Sequence, residues 1–455
     1  MINFVKNKIS GKRLLILGFG REGESAYRFL RKHFPEIQIT IADKNPQFIQ
    51  KINDNNVSFI SGDKYLDSLS EFDLILKSPG ISLNELPYYL PIEKITSQTD
   101  IFLEFYSEQI IGITGTKGKS TTSSLIYHII KLYTDDAVLV GNIGVPPFDM
   151  IEDISENTRI VFELSSHQLE FISKGPHTGI LLNIFQEHLD YFKTFENYQQ
   201  SKFNISRFQD DSDNFIFNTD DELIQKLLSV NKFERNYFEY SINKSVKQGC
   251  WIEKNAIYFS DGMTTSMILD MDTEIFLKGE HNVCNIMAAS CACKLAGIPD
   301  EKINEGIRTF KGLEHRIEYV GEFKGIRFYN DSIATIPEAT MQAIKTLKDV
   351  NTLILGGFDR GIDYDHLLEF LISSSVKNLI LLGDAGKRMM VGFEKLNAGN
   401  KNILFVDTFE DAVKIAKLRT VTSGICLLSP AAASYDMFKN FEERGMVYKK
   451  LVRDI

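Results

Sequence analysis

The chain has 455 residues, 43% hydrophobic and 25% charged, with a formal net charge of −10. That length suits about three domains, the composition is that of a globular protein, and the acidic balance excludes a general nucleic-acid binder, which needs a basic surface. No run approaches the roughly 20 apolar residues of a membrane span, and the N-terminus MINFVKNKISGKRLLILGFG lacks the apolar core of a secretory signal.

Residues 14–17 form an apolar strand. It runs into Gly18-Phe-Gly20-Arg21-Glu22-Gly23 and a helix carrying Ala26, Tyr27, Phe29 and Leu30. A second strand, 37–42, ends at Asp43, about 20 residues after Gly23, where a dinucleotide fingerprint wants its ribose ligand. A further strand, 73–76, closes on Lys77-Ser78-Pro79-Gly80. Taken alone, this predicts a dinucleotide site. The mechanics are more general, because a glycine turn at a helix N-terminus binds any diphosphate. A UDP-linked ligand fits equally well, and so does a glycine turn kept only for packing.

A second segment starts near Ser97 and contains IIGITGTKGKSTT, residues 110–122. A strand, a loop with Gly115 and Gly118, then Lys119, Ser120, Thr121 and a helix predict a triphosphate cradle. Backbone N–H groups from Gly115, Thr116, Lys117 and Gly118 approach phosphate, Lys119 reaches the β/γ oxygens, and Ser120 can hold Mg²⁺. The fit is to a tighter variant, because Ile113 stands where the common template has its first glycine.

Three more strands, 138–140, 160–162 and 179–183, each end in polar residues, as at the ligand-binding edge of a parallel sheet. They lead to Gly141-Asn142-Ile-Gly144, to Glu163-Leu-Ser165-Ser-His-Gln168 and to Phe185-Gln-Glu-His188-Leu-Asp190. Glu163 is a natural Mg²⁺ partner, since hard cations take carboxylate oxygens. His188 by itself reads equally as a structural residue.

Residues 233–278 alternate polar and apolar between Gly, Asn and Asp, which predicts a small antiparallel appendage. Asn282 and Asn285 then share a face at the first turn of a small-residue helix, suited to holding a nucleotide or simply to capping. The five cysteines show no CxxC spacing. Cys291 and Cys293 fall in this apolar helix and are expected in the core, and free thiols fit a cytoplasmic chain. From Gly312 onward strands and helices alternate again, with strands at 326–329, 352–355, 378–382, 403–406 and 425–428, predicting a second doubly wound domain.

TGTKGKST, GNIG, Glu163, His188, GEHNVCN, LEHR and NDS occur in the order found in the Mur ligases, which the whole chain resembles. These are ATP-dependent amide-forming enzymes of cytoplasmic bacterial cell-wall synthesis. ELSSHQLE (163–170) and LLSPAAASYDMFKNFEERG (427–445) direct the resemblance to the branch that takes D-glutamate. The resemblance implies an α/β protein of three domains: a Rossmann-like UDP domain at 1–97, a P-loop ATPase-like domain at 98–311 and a Rossmann-like amino-acid domain at 312–455. It implies a monomer that joins D-glutamate to UDP-N-acetylmuramoyl-L-alanine, using ATP and two Mg²⁺ ions.

By resemblance, Ser120 and Glu163 bind one metal. His188 binds a second, supported by a carbamylated Lys202. Asn282, Asn285, Arg316 and Asp331 hold ATP. Asn142, Ser165 and Gln168 touch the sugar or its lactyl-alanyl arm. Gly20, Arg21, Glu22, Asp43, Lys44 and the turn Ser78-Pro79-Gly80 face the UDP end. Thr335, Arg360, Ser434 and Phe441 take D-glutamate. Four positions depart from the family pattern. Arg360 stands where lysine is common, Ile333 where a lysine often stands, and Arg21-Glu22 where small or hydroxyl residues are expected. The rival readings are a sister ligase or folylpolyglutamate synthetase-like enzyme, a nicotinamide-dependent dehydrogenase, and a non-catalytic nucleotide binder.

Overall fold

The computed structural model describes residues 1–231, 233–396 and 400–454. It divides into two compact units, Met1–Ile275 with Glu280–Thr309, and Phe276–Gly279 with Phe310–Ile455.

The first unit opens with a five-stranded parallel sheet. Its strands are β1 (Leu14–Leu17), β2 (Ile39–Asp43), β3 (Val57–Ser61), β4 (Leu74–Lys77) and β5 (Ile95–Thr96), in spatial order β3-β2-β1-β4-β5. β1 is LLIL with every residue buried, as expected where helices cover both faces. The order reverses between β1 and β4, so their C-terminal ends border a crevice. The turns 18–20 and 78–81 meet there, and the Ser78 hydroxyl donates to the Gly18 carbonyl at 2.7 Å. Gly23 is required at this corner, because a Cβ would stand 2.0 Å from the Gly18 oxygen.

A second sheet has nine strands. They are β6 (Ile110–Thr114), β7 (Ala137–Gly141), β8 (Arg159–Glu163), β9 (Thr178–Leu181), β10 (Asn214–Asn218), β11 (Asn236–Ser241), β12 (Gly249–Glu253), β13 (Ala256–Ser260) and β14 (Thr265–Asp270). The spatial order is β14-β13-β12-β11-β10-β9-β6-β8-β7. The expected antiparallel pairing holds for β12–β13–β14. β11, however, lies parallel between β10 and β12, so this edge continues the central sheet rather than hanging from it. Polar–apolar alternation signals a half-buried strand and carries no strand direction. The helices Lys119–Tyr133 and Glu280–Leu295 pack together. Ala288, Ala289, Ala292, Cys291 and Cys293 are fully buried, and their small side chains permit the close approach. One apolar core runs from Ile16 and Phe29 through Phe102 and Phe162 to Phe215, which joins the two sheets into one unit.

In the second unit, β15 (Glu318–Phe323) pairs antiparallel with β16 (Ile326–Asn330). β17 (Val350–Gly356), β18 (Asn378–Leu382), β19 (Asn402–Val406) and β20 (Ile425–Leu428) complete the order β15-β16-β20-β17-β18-β19. Alternate residues face two cores. Leu353, Leu355, Leu379 and Leu381 face one, and Ile354, Ile380 and Leu382 the other. This is the doubly wound layer predicted from the sequence. Among the described residues no helix is long and apolar enough to cross a membrane.

Candidate active site

The phosphate loop follows β6 and is shaped by the strand-end segment beside it. Thr116 N–H donates to the Asn183 carbonyl at 2.9 Å, and Lys117 N–H to Asn183 Oδ1 at 2.8 Å. The Thr116 hydroxyl meets Tyr198 OH at 3.0 Å and accepts from Phe185 N–H at 2.9 Å. Gly118 is the N-cap of the helix Lys119–Tyr133 in the left-handed region (φ 86°), and a Cβ there would stand 2.4 Å from Asn285 Oδ1. Asn285 therefore sits against the loop, and its amide donates to Asn282 Oδ1 at 3.2 Å. Ser120 and Thr121 follow in the first helical turn, at the positive end of its dipole. The Lys117 ammonium pairs with Glu187 at 2.5 Å.

Two lysines converge behind the loop. Lys119 Nζ donates to the carbonyls of Gly115 and Thr116 at 2.9 and 3.1 Å. Lys202 Nζ donates to the same Gly115 oxygen at 2.7 Å. Lys202 is 1% exposed. Burial, and then the Lys119 charge, pull its pKa well below the usual ammonium value.

Glu163 ends β8 fully buried. Its Oε1 accepts from the Asn142 amide at 2.7 Å, and Oε2 has no hydrogen-bond partner among the described residues. A buried carboxylate oxygen left in this way costs about 1–3 kcal/mol or more unless a cation or donor meets it, so the pocket's chemistry fits a metal ion. His188 caps the short helix Leu189–Phe192 at φ 56° and ψ 36°, a conformation rarely adopted by L residues. Its ring lies 4.9 Å from that of His167 and 6.0 Å from that of Tyr198. Burial, followed by the charges of His188 and Lys202, lowers the His167 pKa to about 4. His167, Glu187 and Tyr198 were not singled out from the sequence. Tyr198 stands four residues before Lys202 on one helix, a spacing that was available.

At the glycine loop, Asp43 accepts from Phe19 N–H at 2.6 Å and Asn45 N–H at 2.8 Å, so its carboxylate holds the loop's shape. Lys44 follows it at the strand end, and Gly20 caps the helix Arg21–His33. Arg21 and Glu22, expected at the UDP end, turn toward loops of the nine-stranded sheet. The Arg21 guanidinium donates to the Gly144 carbonyl. Glu22 Oε1 accepts from the Gln168 amide at 2.7 Å. Gln168 and Ser165 form a reciprocal capping box. The turn at Ser78, Pro79 and Gly80 is tied to the His188 segment as well. Tyr191 OH lies within hydrogen-bond distance of the carbonyls of Pro79 and Ile81 and of the Glu170 carboxylate, and Glu170 also pairs with the buried Lys77.

In the second unit, Asp331 is buried beside the exposed Arg316. It accepts from Ile317 N–H at 3.1 Å and the Ser429 hydroxyl at 2.7 Å, and burial pushes its pKa up to about 7. Arg360 donates to the Thr335 carbonyl at 2.6 Å, so these two residues meet. Ser434 is buried, and the Phe441 carbonyl accepts from Ser332 at 2.8 Å. Arg444 was not singled out. It is buried, and its guanidinium binds the carbonyls of Ser332, Ala432 and Ala433, closing the loops after β16 and β20. Ile333 uses only its backbone, donating to the His315 carbonyl at 3.1 Å.

A phosphate loop beside a buried carboxylate and a buried lysine, flanked by a diphosphate-type glycine turn, matches one group of ATP-using ligases. The family descriptions "Mur ligase MurD-like, N-terminal domain", "Mur ligase middle domain" and "Mur ligase, glutamate ligase domain" match residues 12–89, 113–293 and 315–432. The chain belongs to the Mur ligase family. It is 35% identical to the UDP-N-acetylmuramoylalanine–D-glutamate ligase of Thermoanaerobacter sp., over 98% of this chain and 99% of that one. It is 33% identical to the ligase of the same name from Acetivibrio thermocellus, over 100% and 99%. The fold is shared with solved structures. The UDP-N-acetylmuramate-alanine ligase of Thermotoga maritima has a TM-score of 0.56 at 17% identity, over 97% of this chain and 99% of that one. The MurF ligase of the same organism, in complex with ADP, has a TM-score of 0.54 at 16% identity, over 97% and 95%.

Proposed function

We propose that this chain joins D-glutamate to the carboxylate of UDP-N-acetylmuramoyl-L-alanine, forming an amide, ADP and phosphate. The reading assigns the UDP end to residues 1–97, ATP to 98–311 and the amino acid to 312–455. A carboxylate is a poor electrophile, so the γ-phosphoryl of ATP first converts it to an acyl phosphate. The D-glutamate amine then attacks the carbonyl carbon, and phosphate leaves with one oxygen of the original carboxylate.

Lys119 and the N–H groups of Gly115 and Gly118 hold the transferring phosphoryl and spread its charge, while those of Thr116 and Lys117, expected to join them, are taken by Asn183. Asn282 and Asn285, beside the phosphate loop, hold the rest of ATP. Ser120 and Glu163 would hold one magnesium ion and His188 a second, which together neutralise phosphate charge. The orphaned Glu163 oxygen supports this set. Lys202 is held in the setting that favours a neutral amine, the form that takes up CO₂ as a carbamate, and this supports its carbamylation. Asn142, Ser165 and Gln168 orient the sugar arm. Arg360 clamps the amino-acid carboxylate as a planar fork, with Thr335, Ser434 and Phe441 beside it.

The observation that carries the reading is the convergence of Lys119, Lys202 and the phosphate loop on Gly115, in a chain whose full length follows the D-glutamate ligases. ADP release with the UDP-substrate is to be measured against D-glutamate, L-alanine, diaminopimelate and L-glutamate. D-glutamate is expected to give the highest rate, and preference for another amino acid rejects the assignment.

A further inference from the structure

The dipeptide Arg21-Glu22 opens the helix that follows the glycine loop. A carboxylate facing a bound diphosphate there would repel it. Glu22 is instead turned away, with Oε1 on the Gln168 amide and Oε2 out of contact with solvent. Gln168 Oε1 accepts from Ser165 N–H at 2.9 Å and the Ser165 hydroxyl at 3.0 Å, two residues beyond Glu163. Arg21 reaches the other flank, through the carbonyl of Gly144. That loop carries Asn142, which donates to Glu163 twice, from its amide to Oε1 at 2.7 Å and from its N–H to the carbonyl at 3.0 Å. Two adjacent residues thus hold the two loops that bracket Glu163. Helix docking alone does not account for this, because the same helix is docked further along by Ser25 and Arg28 on Asp149, at 2.9 and 2.8 Å.

We propose that Arg21 and Glu22 are positioning residues that couple occupancy of the glycine loop by a nucleoside diphosphate to the alignment of Glu163. The UDP-linked substrate and the ATP–magnesium pair then bind with positive linkage. A diphosphate on the loop fixes the first helical turn, and through it the loops at Gly144 and Gln168. The second ligand meets an ordering cost already met, and the effect is reciprocal. The inference rests on the reading of the glycine loop as the UDP site.

The test is calorimetric titration of a non-hydrolysable ATP analogue with magnesium, without UDP and with saturating UDP. The wild-type chain is expected to bind the analogue on the order of 5- to 150-fold more tightly with UDP present. Arg21→Ala and Glu22→Ala are expected to cut that factor below about 2 while each ligand still binds alone. Glu22→Gln keeps the acceptor for Gln168 and retains the coupling. Arg28→Ala breaks the distal docking pair with Asp149 and an exposed pair with Glu24, and retains the coupling too. Should Glu22→Ala fail to fold in a thermal melt, Arg21→Ala, whose side chain is exposed, decides alone. Independent binding in the wild type, or undiminished coupling in Arg21→Ala, overturns the proposal. A wild-type chain that does not bind UDP overturns the glycine-loop reading instead.

Discussion

Lys119 and Lys202 share one acceptor, the carbonyl oxygen of Gly115, at 2.9 and 2.7 Å. Burial first, and then the neighbouring Lys119 charge, drives the deeper ammonium of Lys202 toward its neutral form. In the proposed reaction the two lysines divide the work, Lys119 meeting phosphate and Lys202 serving as the modifiable amine. Lys119→Ala is expected to lower ADP release about 10³-fold while UDP-substrate binding persists in a thermal-shift titration. Retained turnover would remove Lys119 from the mechanism.

Lys202→Ala leaves a cavity where a carbamate would stand. Short carboxylic acids such as acetate or propionate are expected to restore part of its activity, because their oxygens replace those of the carbamate. A folded variant that no acid rescues argues against carbamylation.

Glu163→Gln retains an acceptor for Asn142 and loses the negative charge. The magnesium concentration for half-maximal ADP release is expected to rise about 10- to 100-fold. An unchanged magnesium titration would mean that Glu163 holds no metal.

Arg360→Ala is expected to raise KM for D-glutamate about 10- to 100-fold, the worth of a charge-assisted pair. Arg360→Lys should recover only part, since it keeps the charge and loses the fork. Steady-state kinetics at fixed ATP reads both, and an Arg360→Ala enzyme with unaltered KM contradicts the assignment.

Burial pushes the carboxyls of Glu22 and Asp331 up to about 7. Unfolded carboxyls release their protons near pH 4, so between about pH 4 and 7 the native state binds more protons than the unfolded state. Their contribution to stability therefore falls as pH rises through that window. Gln168, Lys77 and Arg21 oppose the Glu22 shift without cancelling it. Glu22→Gln is expected to gain on the order of 2 kcal/mol relative to wild type between pH 4 and pH 8 in urea melts. A stability difference independent of pH would contradict this.

The sheets and the phosphate loop were legible because their signals are local. Apolar runs such as 14–17 and 378–382 end in glycine or polar residues, and the structure has strands at Leu14–Leu17 and Asn378–Leu382. Strands without such a run were missed. β3 (VSFIS) is nowhere fully buried, and β15 pairs only along one edge. Side-chain direction was not legible. The helix of Lys202 looks solvated in NYQQSKFN, yet Ser201, Lys202 and Asn204 are all buried. Arg444 lies in what reads as a charged surface run, FEERG, and is buried by carbonyl oxygens from two loops. Glu22 turns inward because a partner 146 residues away donates to its carboxylate, which no local pattern records.

In the proposed reaction the substrate carboxylate becomes an acyl phosphate in the pocket of Lys119 and Glu163. The most direct test of this step is turnover of UDP-N-acetylmuramoyl-L-alanine carrying ¹⁸O in that carboxylate, with ATP, magnesium and D-glutamate, followed by mass spectrometry of the released phosphate. One labelled oxygen in each phosphate is the predicted result; amide product accompanied by unlabelled phosphate would contradict it.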